Sequence, residues 1–427
     1  MKVKPRTLSG YMELLPKDQI KFNNMLDIIK RNYEYFGFLP LDTPILEASE
    51  VLLAKVGGET EKQIYRIEDK VMRFDLTVPL AKYVVLNYGN LSFPFRRYQI
   101  GKVYRGERAQ KGRFREFYQA DIDIIGDNEL SIYNDAEIPY IIYKIFKELN
   151  IGEFKIKINN RKLLNGYFEY LEINDKASSI MNIIDKLRKI GASEVTEELI
   201  SIGIKEEKVK NIIAFVTMNA DIEVLKKFKL NIDNKNFSEG VNELDQVLKY
   251  SNNLGLDKKY IEIDLTISRG LDYYTGTVYE TYLNDYPNIG SICSGGRYDN
   301  LASYYTDKVL PGVGISIGVT RLFDQLLELN LIKDEEINVS DILIIPMTEN
   351  YEYISKCYKE VQKNKKKTQI FYEKRSIKSI INYALSLNIK KVMFIGDDEV
   401  NNNTVTIKDL DKGEQNTIKI NEMKRYL

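Results

Sequence analysis

Histidine and tryptophan are absent from all 427 residues, and cysteine appears only as Cys293 and Cys357. Without histidine the chain loses the commonest general base and metal ligand, which excludes histidine-dependent hydrolases and the usual zinc enzymes. Two thiols are too few for a disulfide framework or a thiolate cage and suit a reducing compartment, so no structural metal is expected. No apolar run is long enough to span a bilayer, and the start MKVKPRTLSGYMELLP lacks the continuous apolar segment of a secretory signal. A cytoplasmic protein with no membrane partner is expected. Neither sign of charge is in excess, because 62 Lys and Arg balance 62 Asp and Glu. A polyanion would therefore have to be met by local basic patches.

What is present divides along the chain. The length suits two or three domains. An amphipathic helix at about 17–36 leads into FGFLPLDTPILE (36–47), where Pro40 and Pro44 impose extended chain. That segment carries Phe36, Phe38, Leu39, Leu41, Ile45 and Leu46, more apolar surface than one sheet edge hides, which predicts a two-fold homodimer. From 71 to 126 short β-rich stretches alternate with charged turns, a helix follows at about 128–149, and FKIKIN (154–159) alternates as a strand. Residues about 170–252 have helical period and many charges, a helical insertion. Strand character returns at YIEIDLTISRG (260–270) and runs to VGISIGVTRLFDQLLEL (313–329), a strand entering a helix. Beyond a polar linker at 331–341, ILIIPM, QIFYE and KVMFIGD alternate with helical patterns and precede a hairpin over DKG. The expected architecture is an α+β catalytic domain with an antiparallel sheet (1–330), interrupted by the insertion, and a separate α/β domain (342–427).

Three stretches carry chemistry. RYQIGKVYRGERAQKGRFREFYQADIDIIG (97–126) gathers arginines and lysines around a turn, and guanidinium forks suit phosphates. For a charge-rich hairpin a solvated surface is an equally good reading, but in the strand that follows acids alternate with apolar residues. That alternation places Asp123 on one face with Gln119 and could read a cation. Two placements of Asp121 stay open: beside Asp123, or on the opposite face as an inert control. RGLDYYTGTVYE (269–280) sets Arg269 where an always-charged group could stabilise a reacting phosphate, although YYTGT alone reads as core aromatics around a turn. SGGRYDN (294–300) reads as a glycine turn, and PGVGISIGVTRL (311–322) spaces glycines along a strand for close backbone approach before Arg321 opens a helix.

Together these segments resemble the histidyl-tRNA synthetases, over nearly the whole chain. FGFLPLDTPILE, FRRYQIGKVYRGERAQKGRFREFYQ and GVGISIGVTRL look like the three class II motifs, while RGLDYYTGTVYE and SGGRYDN look like the signatures peculiar to the histidine enzymes. RFDLTVPLAKY (73–83) resembles a loop that many relatives write with glutamate in place of Asp75, and the C-terminal unit is similar to an anticodon-binding domain. The resemblance implies a ligase that uses ATP and Mg2+ to join L-histidine to tRNA(His). It implies that Asp75, Thr77 and Gln119 hold the α-ammonium of histidine and that Asp123 and Tyr274 hydrogen-bond the imidazole, with Tyr273 in the same set. Arg105 and Arg321 would grip ATP phosphates, Glu107 would sit near ATP and its Mg2+, and Phe117 would stack on adenine. Arg113 and Arg269 would act at the α-phosphate, with Arg105 in the same catalytic set, and Arg108, Gln110 and Lys111 would meet the acceptor end of tRNA. Two departures stand out, Thr320 in place of the family's glutamate and Ala120 in place of cysteine or glycine. A noncatalytic paralogue that senses histidine or uncharged tRNA is the alternative.

Overall fold

The computed structural model describes residues 2–54, 63–108, 112–268, 274–332 and 339–427. The chain forms two compact units, Met1–Ile332 and Lys333–Leu427. In the first, the long helix Pro16–Tyr35 starts at a proline whose missing N–H costs nothing there, and it buries Phe22, Met25, Ile29 and Tyr33. Extended chain follows as β1 (Leu39–Pro40) and β2 (Leu46–Ala48); β3 (Arg66–Ile67) and β4 (Lys70–Met72) join β2 in a small sheet. The apolar residues of 36–47 divide: Phe38 is buried in the chain's own core, whereas Leu39, Ile45 and Leu46 are exposed.

An uninterrupted β reading of 71–126 is wrong at one place, because Thr77–Asn87 is a helix. Its first turn tolerates Pro79, since N–H groups there have no intrahelical partner, and the Asp75 carboxylate accepts from Val78 N–H at 3.0 Å. The main sheet then takes β5 (Phe95–Tyr104) and β6 (Glu116–Ile125), followed by the helix Tyr133–Leu149 and β7 (Phe154–Asn160). Helices from Arg161–Tyr170 to Lys235–Asn253 form the insertion, and no strand interrupts them. β8 covers only Ile261–Ile263, shorter than YIEIDLTISRG suggested, because the Asp264 side chain caps Thr266 N–H at 3.0 Å and turns the chain. β9 (Thr277–Leu283), β10 (Cys293–Tyr298) and β11 (Gly312–Gly318) complete the sheet, and the helix Val319–Glu328 follows. SGGRY (294–298) is therefore strand rather than turn.

Among the described residues this sheet has eight strands in the order β1-β5-β6-β11-β10-β9-β7-β8, antiparallel except at its two outer pairs. One face packs on the helices Pro16–Tyr35 and Tyr133–Leu149 through Ala120, Ile122 and Ile124, and the insertion shares that continuous core. The other face carries Arg97, Gln99, Asp121 and Asp123, all buried.

The second unit holds β12 (Ile342–Pro346), β13 (Thr368–Ile370), β14 (Lys391–Ile395), β15 (Thr404–Asp409) and β16 (Gln415–Lys419) in the order β13-β12-β14-β15-β16. β12 lies parallel to β13 and β14, and the β15–β16 hairpin adds antiparallel pairs. Ile342 and Ile344 point into one cluster and Leu343 and Ile345 into another, which is why β12 is apolar throughout.

Candidate active site

β6 carries the site because it lies between β5 and β11 and its side chains alternate faces. Phe117, Gln119, Asp121 and Asp123 share one face; Ala120, Ile122 and Ile124, on the other, fill the core. Asp121 therefore stands beside Asp123, and its placement on the opposite face as a control is a misreading of a period of two. Across the rungs, Asp123 is flanked by Arg97 and Gly314, and Asp121 by Gln99 and Ser316.

Close approach dictates the glycines. A Cβ at Gly314 would lie 2.2 Å from Asp123 Oδ1, and one at Gly296 would lie 2.9 Å from Tyr274 Cδ1. Asp123 Oδ1 accepts from Tyr298 Oη at 2.7 Å, and Oδ2 lies 2.6 Å from Arg97 Nη2 without the alignment of a hydrogen bond. Arg97, fully buried, also donates to Leu76 O at 3.0 Å. Asp75 Oδ1 caps the Thr77–Asn87 helix while its Oδ2 is buried with no hydrogen-bond partner among the described residues. Half-buried Thr77 opens that helix. Gln119 Nε2 donates to Ser316 Oγ at 2.8 Å, which leaves Oε1 as a second buried acceptor with no such partner.

Burial drives the titration of these acids. Desolvation pushes Asp75 up to about 6, against the opposing hydrogen bond from Val78 and the charge of Arg105. It pushes Asp123 up to about 6 and Asp121 up to about 7, with Arg97 pulling both down. Three carboxyls share little positive charge, so the face is built for a cation.

The same face becomes basic toward the β5–β6 turn. Arg105 donates from Nε to Phe74 O at 3.0 Å, and its guanidinium lies 5.2 Å from the Phe117 ring centre. Arg113, side chain 46% exposed, meets Glu107 at 3.3 Å. Arg321 is held by the carbonyls of Ser291 and Ile289, and its Nε is buried with no hydrogen-bond partner among the described residues. Burial first, then the nearby charge of Arg113, lowers its pKa. Two guanidiniums close enough to repel each other make an anion site. Arg108 is exposed beside this turn, whereas Gln110, Lys111, Arg269 and Tyr273 lie outside the described residues.

Of the two departures from the family pattern, Thr320 has a local role, its Oγ1 accepting from Tyr118 N–H at 2.7 Å, whereas Ala120 is fully buried in the core and its carbonyl, which any residue would supply, accepts from Tyr33 Oη at 2.9 Å. Sequence reasoning missed Arg97, Tyr298 and Ser316, whose place beside Asp123 and Asp121 appears only once the strands pair. It also missed the strut under the Tyr274 segment, where Arg297 grips fully buried Asp135 through Nε at 3.1 Å and Nη2 at 2.6 Å. Arg297 O accepts from Thr275 N–H at 2.8 Å, and a Cβ at Gly276 would lie 2.8 Å from Arg297 Cδ.

An antiparallel sheet bearing an acidic pocket, an arginine-rich hairpin and a strand that delivers an arginine into a helix defines a class II aminoacyl-tRNA synthetase. Residues 10–322 match the histidyl-tRNA synthetase family and residues 341–427 an anticodon-binding domain. The chain belongs to the histidyl-tRNA synthetase family. It is 53% identical to the histidine–tRNA ligase of Clostridium tetani, covering 98% of this chain and 97% of that protein. With the ligase of Finegoldia magna it shares 48% identity over 99% of each. The crystal structure of histidyl-tRNA synthetase from Nostoc sp. PCC 7120 superimposes with a TM-score of 0.86 at 39% identity, covering 100% of both chains.

Proposed function

We propose that this enzyme activates L-histidine with ATP to histidyl-adenylate and passes the histidyl group to tRNA(His) in the cytoplasm. The observation that carries this reading is that Asp75 and Gln119 hold buried acceptors without a hydrogen-bond partner among the described residues, Asp75 within the charge field of Arg105, while Arg113 and Arg321 lie close enough to repel each other. Asp75, Thr77 and Gln119 take the α-ammonium. Asp123, whose oxygens keep lone pairs beyond those used by Tyr298 and Arg97, takes one imidazole nitrogen and Tyr274 the other, with Tyr273 in the same pocket. Arg105 and Arg321 hold the triphosphate, and Phe117 stacks on adenine.

The histidine carboxylate is ionised at neutral pH and needs no protein base, which suits a chain without histidine. It attacks the α-phosphate as pyrophosphate leaves, and Arg113 and Arg269 stabilise the charge that develops. A terminal ribose hydroxyl of tRNA then attacks the acyl carbon and AMP leaves. Arg108, Gln110 and Lys111 meet the acceptor end, and residues 341–427 meet the anticodon.

Glu107 is the carboxylate that would face a nucleotide-bound Mg2+. Magnesium keeps several waters and takes one or two carboxylates plus substrate phosphates, which suits an ion that arrives with the nucleotide. Bound there, Mg2+ would neutralise phosphate charge. Exposed Leu39, Ile45 and Leu46 support a two-fold dimer that covers them. Among the described residues no helix is long and apolar enough to cross a membrane.

The test is ATP–pyrophosphate exchange with each amino acid in turn. Exchange dependent on histidine supports the ligase, and binding of histidine without exchange would indicate a noncatalytic sensor. Arg269→Ala should lower exchange by about 10²–10³.

A further inference from the structure

We propose that Asp121 is a substrate-binding residue, the third acceptor for the α-ammonium beside Asp75 and Gln119. The proposal rests on the histidine-activating reading above and adds a residue to it. Asp121 is 2% exposed on the face of β6 opposite Ala120, Ile122 and Ile124, between Gln119 and Asp123. Asp121 Oδ1 is buried without a hydrogen-bond partner among the described residues, as are Asp75 Oδ2 and Gln119 Oε1; Gln99 Oε1 and Asp123 Oδ2 share that condition, but Asp123 Oδ2 lies 2.6 Å from the Arg97 guanidinium and Asp123 Oδ1 accepts from Tyr298.

The three acceptors belong together. Asp75 is near enough to Asp121 for its charge to disfavour ionisation of Asp121. The Ser316 hydroxyl is hydrogen-bonded to Asp121 and accepts from Gln119 Nε2 at 2.8 Å, which fixes the Gln119 amide with Oε1 free. Three acceptors with nothing to accept call for a donor-only partner with three N–H groups and a positive charge, as an alkylammonium has. A hydroxyl offers one donor, and a planar guanidinium would need a flat, forked arrangement.

The charge surroundings give the binding a proton signature. Facing Asp121 are Arg97 and Gln99 from β5, Gln119 and Asp123 from β6, Ser316 from β11 and Asp75 from the loop before the Thr77–Asn87 helix, while Cys293 and Tyr33 feel its charge. Burial holds Asp121 at about 7, so near neutral pH it carries part of a proton. An incoming ammonium favours the carboxylate and expels that proton.

The experiment compares two ligands that differ only in the ammonium, L-histidinol and 4-(3-hydroxypropyl)imidazole, by calorimetry on the full chain and on Asp121→Asn. The expected result is histidinol binding weakened about 10–100-fold in the variant, with the des-amino ligand unchanged. A proportional loss for both ligands, or unchanged histidinol affinity, would overturn the proposal. Should Asp121→Asn not fold, the wild-type chain decides it. Histidinol binding at pH 7, in buffers of different ionisation enthalpy, should release more protons than des-amino binding, and equal release overturns the assignment. Competition between Mg2+ alone and histidinol would overturn it too, by giving the acceptors to a metal. Histidine-dependent exchange by the wild type is measured in parallel. Its absence with histidinol binding intact would sink the ligase reading and leave the ammonium site standing.

Discussion

Asp135 and Arg297 allow the sharpest test of what holds the active-site segment. Asp135 is fully buried, the Arg297 side chain is 9% exposed, and three contacts of 2.6–3.1 Å join them. Asp135→Asn keeps the shape and removes the charge, which leaves a buried guanidinium with Asp299 at 3.6 Å as its remaining carboxylate. Removing one member of a buried pair costs about 3–5 kcal/mol. Asparagine still accepts one hydrogen bond, so the loss should fall near the lower end, about 3 kcal/mol, on the order of a 100-fold change in the folding constant. The assay is urea unfolding of the Met1–Ile332 unit followed by circular dichroism, with histidine KM measured on folded enzyme. KM should rise because Arg297 O anchors Thr275, next to Tyr274. Asp135→Leu with Arg297→Met should restore most of the stability, since apolar replacement of both partners is often neutral or better. A loss under about 1 kcal/mol for Asp135→Asn, or a double variant as unstable as the two singles summed, would refute the idea that an unpaired charge is what hurts.

Gly314→Ala should cut histidine-dependent exchange by at least about 100-fold with ATP affinity little changed, because its Cβ would lie 2.2 Å from Asp123 Oδ1; normal exchange would mean Asp123 has room to move. Removal of residues 333–427 should leave exchange substantially intact and strongly impair tRNA charging, and normal charging by the folded truncation would give the second unit another role. The pH dependence has a defined sign. Asp75, Asp121 and Asp123 have pKa values raised in the native state to about 6–7, so their contribution to stability is present below about pH 4 and is lost as pH rises through that range. Histidinol should therefore raise the melting temperature more at pH 8 than at pH 5.5, and equal shifts would contradict the burial argument.

Much of the architecture was legible because local pattern and global role agree. VGISIGVTRLFDQLLEL reads as strand then helix and is one, with Val313, Ile315 and Ile317 facing the core. The apolar strands of the second unit announce a sheet covered on both faces. The Thr77–Asn87 helix was missed because Thr77, Val78 and Pro79 argue against helix, and a carboxylate cap at Asp75 settles the matter only in three dimensions. Arg97 was missed for another reason. It sits among arginines that suit phosphate, and pairing with β6 turns it instead toward Asp123. Ser294–Tyr298 looked like a turn because paired glycines usually make one; here Gly295 lets β10 lie against β11, where a Cβ would come within 2.1 Å of Gly314 O.

The division of labour between strand and loop has a consequence for how the pocket can change. Gln119, Asp121, Asp123, Ser316 and Arg97 stand on three adjacent hydrogen-bonded strands, so their separations are set by the sheet repeat of roughly 4.8 Å and cannot breathe independently. Arg105 and Arg113, by contrast, lie beyond the ends of β5 and β6, on the connection between them. On the proposed reading, the part of amino acid recognition carried by Gln119, Asp121 and Asp123 is written into a rigid ruler, while Asp75, Thr77 and Tyr274 reach the same site from outside the main sheet. Retuning the sheet-borne half of such a site would have to proceed by exchanging side chains on the ruler, since the spacing of hydrogen-bonded strands is fixed.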